Sequence, residues 1–151
     1  MPSPDEILDI QRRHITETGW AVTAVLPTPG TTDTPFAYTV GLTEHHLPEL
    51  VIAGLDPRIA QTLLNDLAGR VHTGAARLTH GHRVDDLIVG YPAVIVEGPA
   101  TEALWPGTAY ARYGRDQVHL QQIVWPDRHG RFPWHDGYEY PGHVQPLLGH
   151  P

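Results

Sequence analysis

Bulky and small residues alternate along Phe36-Ala37-Tyr38-Thr39-Val40-Gly41-Leu42, the period-2 pattern of a strand with two unlike faces. Phe36, Tyr38, Val40 and Leu42 make a bulky face, and Ala37, Thr39 and Gly41 make a nearly bare one. A bare strand face lets something approach the backbone closely, either a ligand or a packed helix. Trp20 to Leu26 reads as the preceding strand, with Pro27 to Pro35 as a polar, proline-punctuated loop. Leu50 to Leu55 is apolar at every position but one glycine, as in a strand buried on both faces. Leu87–Val89 and Ala93–Glu97 are strand runs joined through a bend at Gly90-Tyr91-Pro92, and Val118–Trp125 is the last strand.

Two segments carry the 3.6-residue period instead. Ser3-Pro4-Asp5-Glu6 is a capping box with proline at the first helical position, predicting a helix to about Thr18 with Gly19 as its stop. Asp56-Pro57 opens a second helix whose stripe, Ala60, Leu63, Leu64, Leu67, Ala68 and Val71, ends near Gly74. Thr101 to Arg115 reads as a short helix interrupted by Trp105-Pro106-Gly107. Ala75 to Asp86 reads as polar loop.

About six strands with helices before and between them predict an α+β fold. Most strand-to-strand links are too short for parallel crossovers, so the expectation is a mostly antiparallel sheet or half-open barrel. The N-terminal helix precedes it and one amphipathic helix covers it. The 151 residues are enough for one core. The organisation expected is a single domain 1–151, with a helix over 1–19, a core over 20–138 and an extended arm over 139–151.

Composition removes several chemistries. Cysteine is absent and all ten basic residues are Arg, which excludes disulfides, thiolate nucleophiles, Cys-type metal sites, Schiff bases and a P-loop lysine. The lone serine is the helix cap Ser3, so a serine nucleophile is out as well. A net charge of −7 with no basic run beyond Arg12-Arg13 argues against nucleic acid as a partner. No apolar run approaches a membrane span, and the acidic start Met1 to Glu6 has no apolar segment of a signal peptide behind it. The chain reads as soluble and cytoplasmic. The Arg-for-Lys bias with abundant Ala, Gly, Pro and His fits a high-GC bacterial genome.

Candidate chemistry concentrates in Trp125–Tyr138, where aromatic and ionisable residues alternate with Pro126, Gly130, Pro133 and Gly137. Asp127, His129 and His135 are candidate catalytic acid–base groups. Arg128 and Arg131 are candidate anion ligands, and Trp125 and Trp134 offer flat faces for a ring. The ligand would lie between this loop and the strand positions Tyr38, Thr39 and Gly41. The same side chains serve equally well as turn caps and core plugs. The histidines His45, His46, His72, His80, His82 and His119 raise a His-bound metal as a further option, with no HExxH spacing behind it.

Several of these words in one order, from Phe36-Ala37-Tyr38-Thr39-Val40-Gly41-Leu42 through Pro48-Glu49-Leu50, Gly54-Leu55 and Leu63-Leu64-Asn65 to Gln122, Trp125-Pro126-Asp127 and Gly130-Arg131-Phe132-Pro133-Trp134, resemble a bacterial family of unknown function, DUF 4262, over about residues 20–138. The chain departs from the family at Leu47, where a histidine often precedes Pro-Glu-Leu and His46 stands one place earlier. The resemblance implies a relative and no activity. The order of elements is also similar to flavin-binding split barrels, which implies a flavin lying against the small-residue strand face at a dimer interface.

The functional expectation is a domain that binds a small planar or anionic molecule, with or without catalysis, cofactor unknown, flavin or His-bound metal being the options. A homodimer is an open option too. The competing expectation is a protein-interaction module of the immunity or accessory kind.

Overall fold

The computed structural model describes residues 3–31 and 33–151. Met1 and Pro2, from the acidic start, and Thr32, from the Pro27–Pro35 loop, lie outside the described residues. Helix α1 spans Pro4–Thr18, and strands β1 (Ala21–Val25) and β2 (Phe36–Val40) follow. A short 3-10 turn over Leu42–His45 leads into β3 (Glu49–Ala53) and helix α2 (Pro57–His72). The hairpin β4 (Arg83–Ile88) and β5 (Tyr91–Glu97), helix α3 (Gly107–Tyr113) and β6 (Leu120–Val124) complete the order.

The six strands form one open sheet in the order β1-β2-β3-β6-β5-β4. The last strand is therefore inserted at the centre. It pairs parallel to β3 and antiparallel to β5, and the other neighbours are antiparallel. The parallel pair departs from the short-link expectation because β3 and β6 are joined through α2, the hairpin and α3, ample chain for a crossover. β1 and β4 are free edges, so the sheet does not close into a barrel.

Both faces are covered, which is why β2, β3 and β6 are buried at every residue. On one face α2 lays Ala60, Leu64, Leu67, Ala68 and Val71 against Ala37, Leu50, Ile52, Ile95 and Ile123. Each fully buried leucine there stabilises by about 1.5–3 kcal/mol. The other face packs Tyr38, Val40, Val51 and Leu120 against Ile15 of α1, Ala109 of α3 and Leu148 near the C-terminus. Of the two occupants considered for the bare face of β2, the packed helix is the one present.

The caps follow their sequence signals. Ser3 Oγ accepts from the Glu6 N–H and Glu6 Oε2 from the Ser3 N–H, both at 3.2 Å. Gly19 ends α1 with φ of 109°. Asp56 caps α2 through the Arg58 N–H at 2.9 Å. Two local expectations are corrected. Arg83 to Asp86, read as loop, belongs to β4, whose exposed Arg83, Asp85 and Asp86 are ordinary for an edge strand. Tyr91 and Pro92 are already strand, because the chain reverses in the two residues Val89-Gly90.

The segment after Glu139 has no helix or strand but is fastened to the sheet. The Gln145 amide accepts from the Trp125 N–H and donates to the Trp125 carbonyl, both at 2.9 Å. Gln122 holds the same segment through Pro146 O and the Leu148 N–H, both at 2.8 Å.

Candidate functional site

The Trp125–Tyr138 stretch is a loop built around one carboxylate. Asp127 is buried, and its Oδ1 accepts from the backbone N–H groups of His129 at 2.9 Å and Arg131 at 3.0 Å. Its Oδ2 accepts from the Glu139 N–H at 3.0 Å and from Arg131 Nε at 3.4 Å. Burial alone raises this carboxyl, but the N–H donors of Arg131, Glu139 and His129 outweigh it and hold the pKa down to about 2. Asp127 therefore stays ionised and ties its own turn, through His129 and Arg131, to Glu139.

The remaining candidates of this stretch are placed separately. Trp125 is buried and donates its indole N–H to Ala53 O at 2.7 Å. Trp134 stacks on Phe132 with centroids 5.1 Å apart and planes 3° from parallel. His135 Nδ1 accepts from the Phe132 N–H at 3.0 Å. Arg128 pairs with Glu139 at 3.0 Å, and Arg131 with Asp127. The His129 side chain is exposed.

The strand candidates point elsewhere. Tyr38 is buried on the face away from α2, with its hydroxyl accepting from the Thr108 N–H at 3.0 Å. Thr39 is engaged by Glu49, and a Cβ on Gly41 would stand 2.6 Å from Gly19 O. The structure does not bring Tyr38, Thr39 and Gly41 to the 125–138 loop. Nor do they fit a flavin, because α2 covers the small-residue face on which it would lie.

The histidines are likewise dispersed. His45 and His72 meet edge to face at 4.6 Å beside Trp20, and His80 Nδ1 accepts from the Glu97 N–H at 2.8 Å. Among the described residues no three His, Asp or Glu side chains converge to hold a metal.

Two buried polar groups absent from the sequence candidates are fully engaged. Glu49, fully buried at the start of β3, accepts five hydrogen bonds: from the Thr39 and Thr43 hydroxyls and from the N–H groups of Gly41, Leu42 and Thr43. It clamps the turn that leads to His46 and Leu47. Burial pushes its pKa up and the donors pull it back, with a net shift upward. The second is Gln121, buried on β6, which donates to Leu78 O at 2.9 Å and to Glu97 Oε1 at 2.7 Å.

Gln121 also marks where concave surface gathers. A hollow of about 510 Å³ is lined by Glu97, Tyr110, His119 and Gln121. A second of about 500 Å³ is lined by His46, Arg77, Val71 and again Gln121. Pro48 borders both. Sharing Pro48 and Gln121, the two flank the N-terminal ends of the parallel strands β3 and β6, where the Glu49 N–H meets His119 O at 2.8 Å. The first hollow carries a carboxylate, an imidazole and a phenol, the second a guanidinium and an imidazole. The sequence signal for it was the pair Gln121-Gln122, two amides in the middle of an otherwise apolar strand.

A family model described as a domain of unknown function, DUF4262, matches residues 14–139. No curated protein and no solved structure matches the chain.

Proposed function

The chain belongs to the DUF4262 family, and within it we propose a domain whose two hollows act as one trough over Gln121 and bind a small molecule carrying a hydrogen-bond donor at one end and an anionic group at the other. The reading rests on one observation above the rest. A buried amide, common to both hollows, holds Glu97 Oε1 in place. Glu97 is exposed and its Oε2 takes no protein donor among the described residues, so an incoming N–H or O–H would displace only water there. Arg77 and His46 line the far end and suit a carboxylate or phosphate. Hollows of this size fall in the range of small-molecule sites. Any acid–base step would fall to Glu97 and His119, on the trough wall, because Asp127 is committed to its loop. Among the described residues no helix is long and apolar enough to cross a membrane; the location we propose, on the Cys-free, Arg-for-Lys composition, is a bacterial cytoplasm.

The test is native mass spectrometry of untagged protein with a thermal-shift screen of amino acids, amino sugars and amino phosphates. The expected result is a ligand or class of compounds that raises the melting temperature of wild type by several degrees and fails to do so in both Glu97→Gln and Arg77→Ala. Compounds that stabilise both variants as well as wild type would place the site elsewhere. A bare mass with no stabilising compound would remove the reading.

A further inference from the structure

Helix α1 is anchored at only one end. Ile15 is buried and Gln11 reaches Thr23 and Thr108, whereas every residue from Ser3 to Ile10 is exposed. Among these Ile7 is 52% and Ile10 44% exposed, although both are large and apolar. At 100° per residue, Ser3, Ile7, Ile10, His14 and Glu17 fall on one stripe with the 4-3-4-3 spacing of a two-helix seam, turned away from Ile15. Glu6 and Arg13 lie along one flank of that stripe, one turn before Ile10 and one turn after it.

The distribution of charge says what covers this seam. Asp5, Glu6 and Asp9 occupy the first half of the helix, and Arg12 and Arg13 the second. The helix dipole and the capping box account for Asp5 and Glu6 in the first turn but not for Arg12 and Arg13, because the last turn carries no basic residue and does carry Glu17. The pattern is instead complementary to its own reverse. Run antiparallel about a twofold axis, Ile7 of one copy meets Ile10 of the other. The flanks then bring Glu6 of each copy to Arg13 of the other, while a parallel pair would set like charges together. Arg13 forms no ion pair among the described residues, and Asp9–Arg12 is an exposed pair of small worth.

We propose that a second copy of this chain covers the outer face of α1, in an antiparallel helix pair centred on Ile7 and Ile10 and matched by reciprocal Glu6–Arg13 contacts. Two heptads bury little area, so the dimer is a weak, concentration-dependent one. The centre of the seam, Ile7 and Ile10, and its flank residues Glu6 and Arg13 precede the family match, which begins at residue 14.

Sedimentation velocity over a wide range of protein concentration tests this. Wild type is expected to shift from monomer to dimer. Arg13→Glu leaves the flank acidic throughout and Glu6→Lys leaves it basic throughout, so each alone should dimerise roughly tenfold more weakly, and a 1:1 mixture should recover the dimer as a heterodimer. Ile10→Glu, at an exposed position, should abolish it. Glu6→Lys also removes half of the capping box, so circular dichroism and thermal melting accompany each variant, and Arg13→Glu, which leaves the cap intact, carries the charge test if that variant frays. A wild type that stays monomeric, or a dimer indifferent to Ile10→Glu and to both charge changes, overturns the proposal.

Discussion

Thr39 and Glu49 are joined side chain to side chain across the β2–β3 pair. The threonine hydroxyl donates to Oε1 of the carboxylate at 2.8 Å and accepts from the Leu50 N–H at 2.8 Å. The carboxylate then accepts four further donors from the turn beyond β2. Surrounded only by donors, this side chain needs two acceptor oxygens, and an amide in their place is poorly matched.

Glu49→Gln should therefore destabilise. An amide nitrogen in place of either oxygen faces a backbone N–H that cannot turn away, and a loss of about 2–4 kcal/mol is expected from the donors left unpaired. Thr39→Val should lose less, about 1–2 kcal/mol. Urea unfolding of the three proteins measures both. A Glu49→Gln protein as stable as wild type would show that the clamp contributes nothing.

The two buried carboxylates respond oppositely to acid. Asp127 has its folded pKa lowered from 3.8 to about 2, so its contribution is full above pH 4 and is lost as pH falls towards 2. Glu49 has its folded pKa raised above 4.5. Its contribution is present at low pH and is lost as pH rises through the folded value. Wild type should lose stability between pH 4 and pH 2, and Asp127→Asn should start lower and fall less steeply over that interval. Parallel acid limbs for the two proteins would contradict the role given to Asp127.

Two glycines with positive φ separate conformational from steric cost. Gly41 has φ of 130° and a Cβ there would lie 2.6 Å from Gly19 O, whereas Gly130 has φ of 80° and open space around it. Gly41→Ala should cost about 2–4 kcal/mol and Gly130→Ala about 1 kcal/mol. Equal melting temperatures for the two variants would mean that the approach of β2 to the end of α1 relaxes freely.

The tryptophans of the 125–138 loop should also part company. Trp125 is packed into the core and hydrogen-bonded to Ala53 O, and its replacement by Ala should cost about 3–5 kcal/mol. Trp134 is half-buried on Phe132, and Trp134→Ala should keep a cooperative fold with a loss of about 1–2 kcal/mol. Chemical denaturation decides it, and unfolding of Trp134→Ala would make that residue a structural plug.

The helices were legible because their signals are local. The Ser3 capping box, the Asp56-Pro57 start and the stripe ending at Val71 each need only neighbours within a turn or two. Strand β4 was expected only from Leu87, and its first four residues were read as loop, because an edge strand with Arg83, Asp85 and Asp86 facing water carries the composition of a loop. The parallel β3–β6 pair was missed because register between strands about seventy residues apart leaves no mark in either. The density of ionisable groups in Trp125–Tyr138 was real, but density does not say where side chains point. Asp127 and Arg131 turn to each other, Arg128 to Glu139 and His135 to the backbone. Glu49 and Gln121 read as the edge of a polar connection and as a polar interruption. Their environment comes from β2, the turn after it, and β5, none of it adjacent in sequence.

The central position of the final strand has a bearing on synthesis. Until β6 has left the ribosome, β1–β2–β3 and the β4–β5 hairpin are two pieces with the edges of β3 and β5 bare, and Gln121, Trp125 and the segment from Gln145 to Leu148 are not yet present to join them. Folding of the whole must wait for nearly the full chain. The nascent protein then carries the bare edge of β3, and later that of β5 as well, until β6 emerges, which makes the emerging polypeptide a natural client for chaperones.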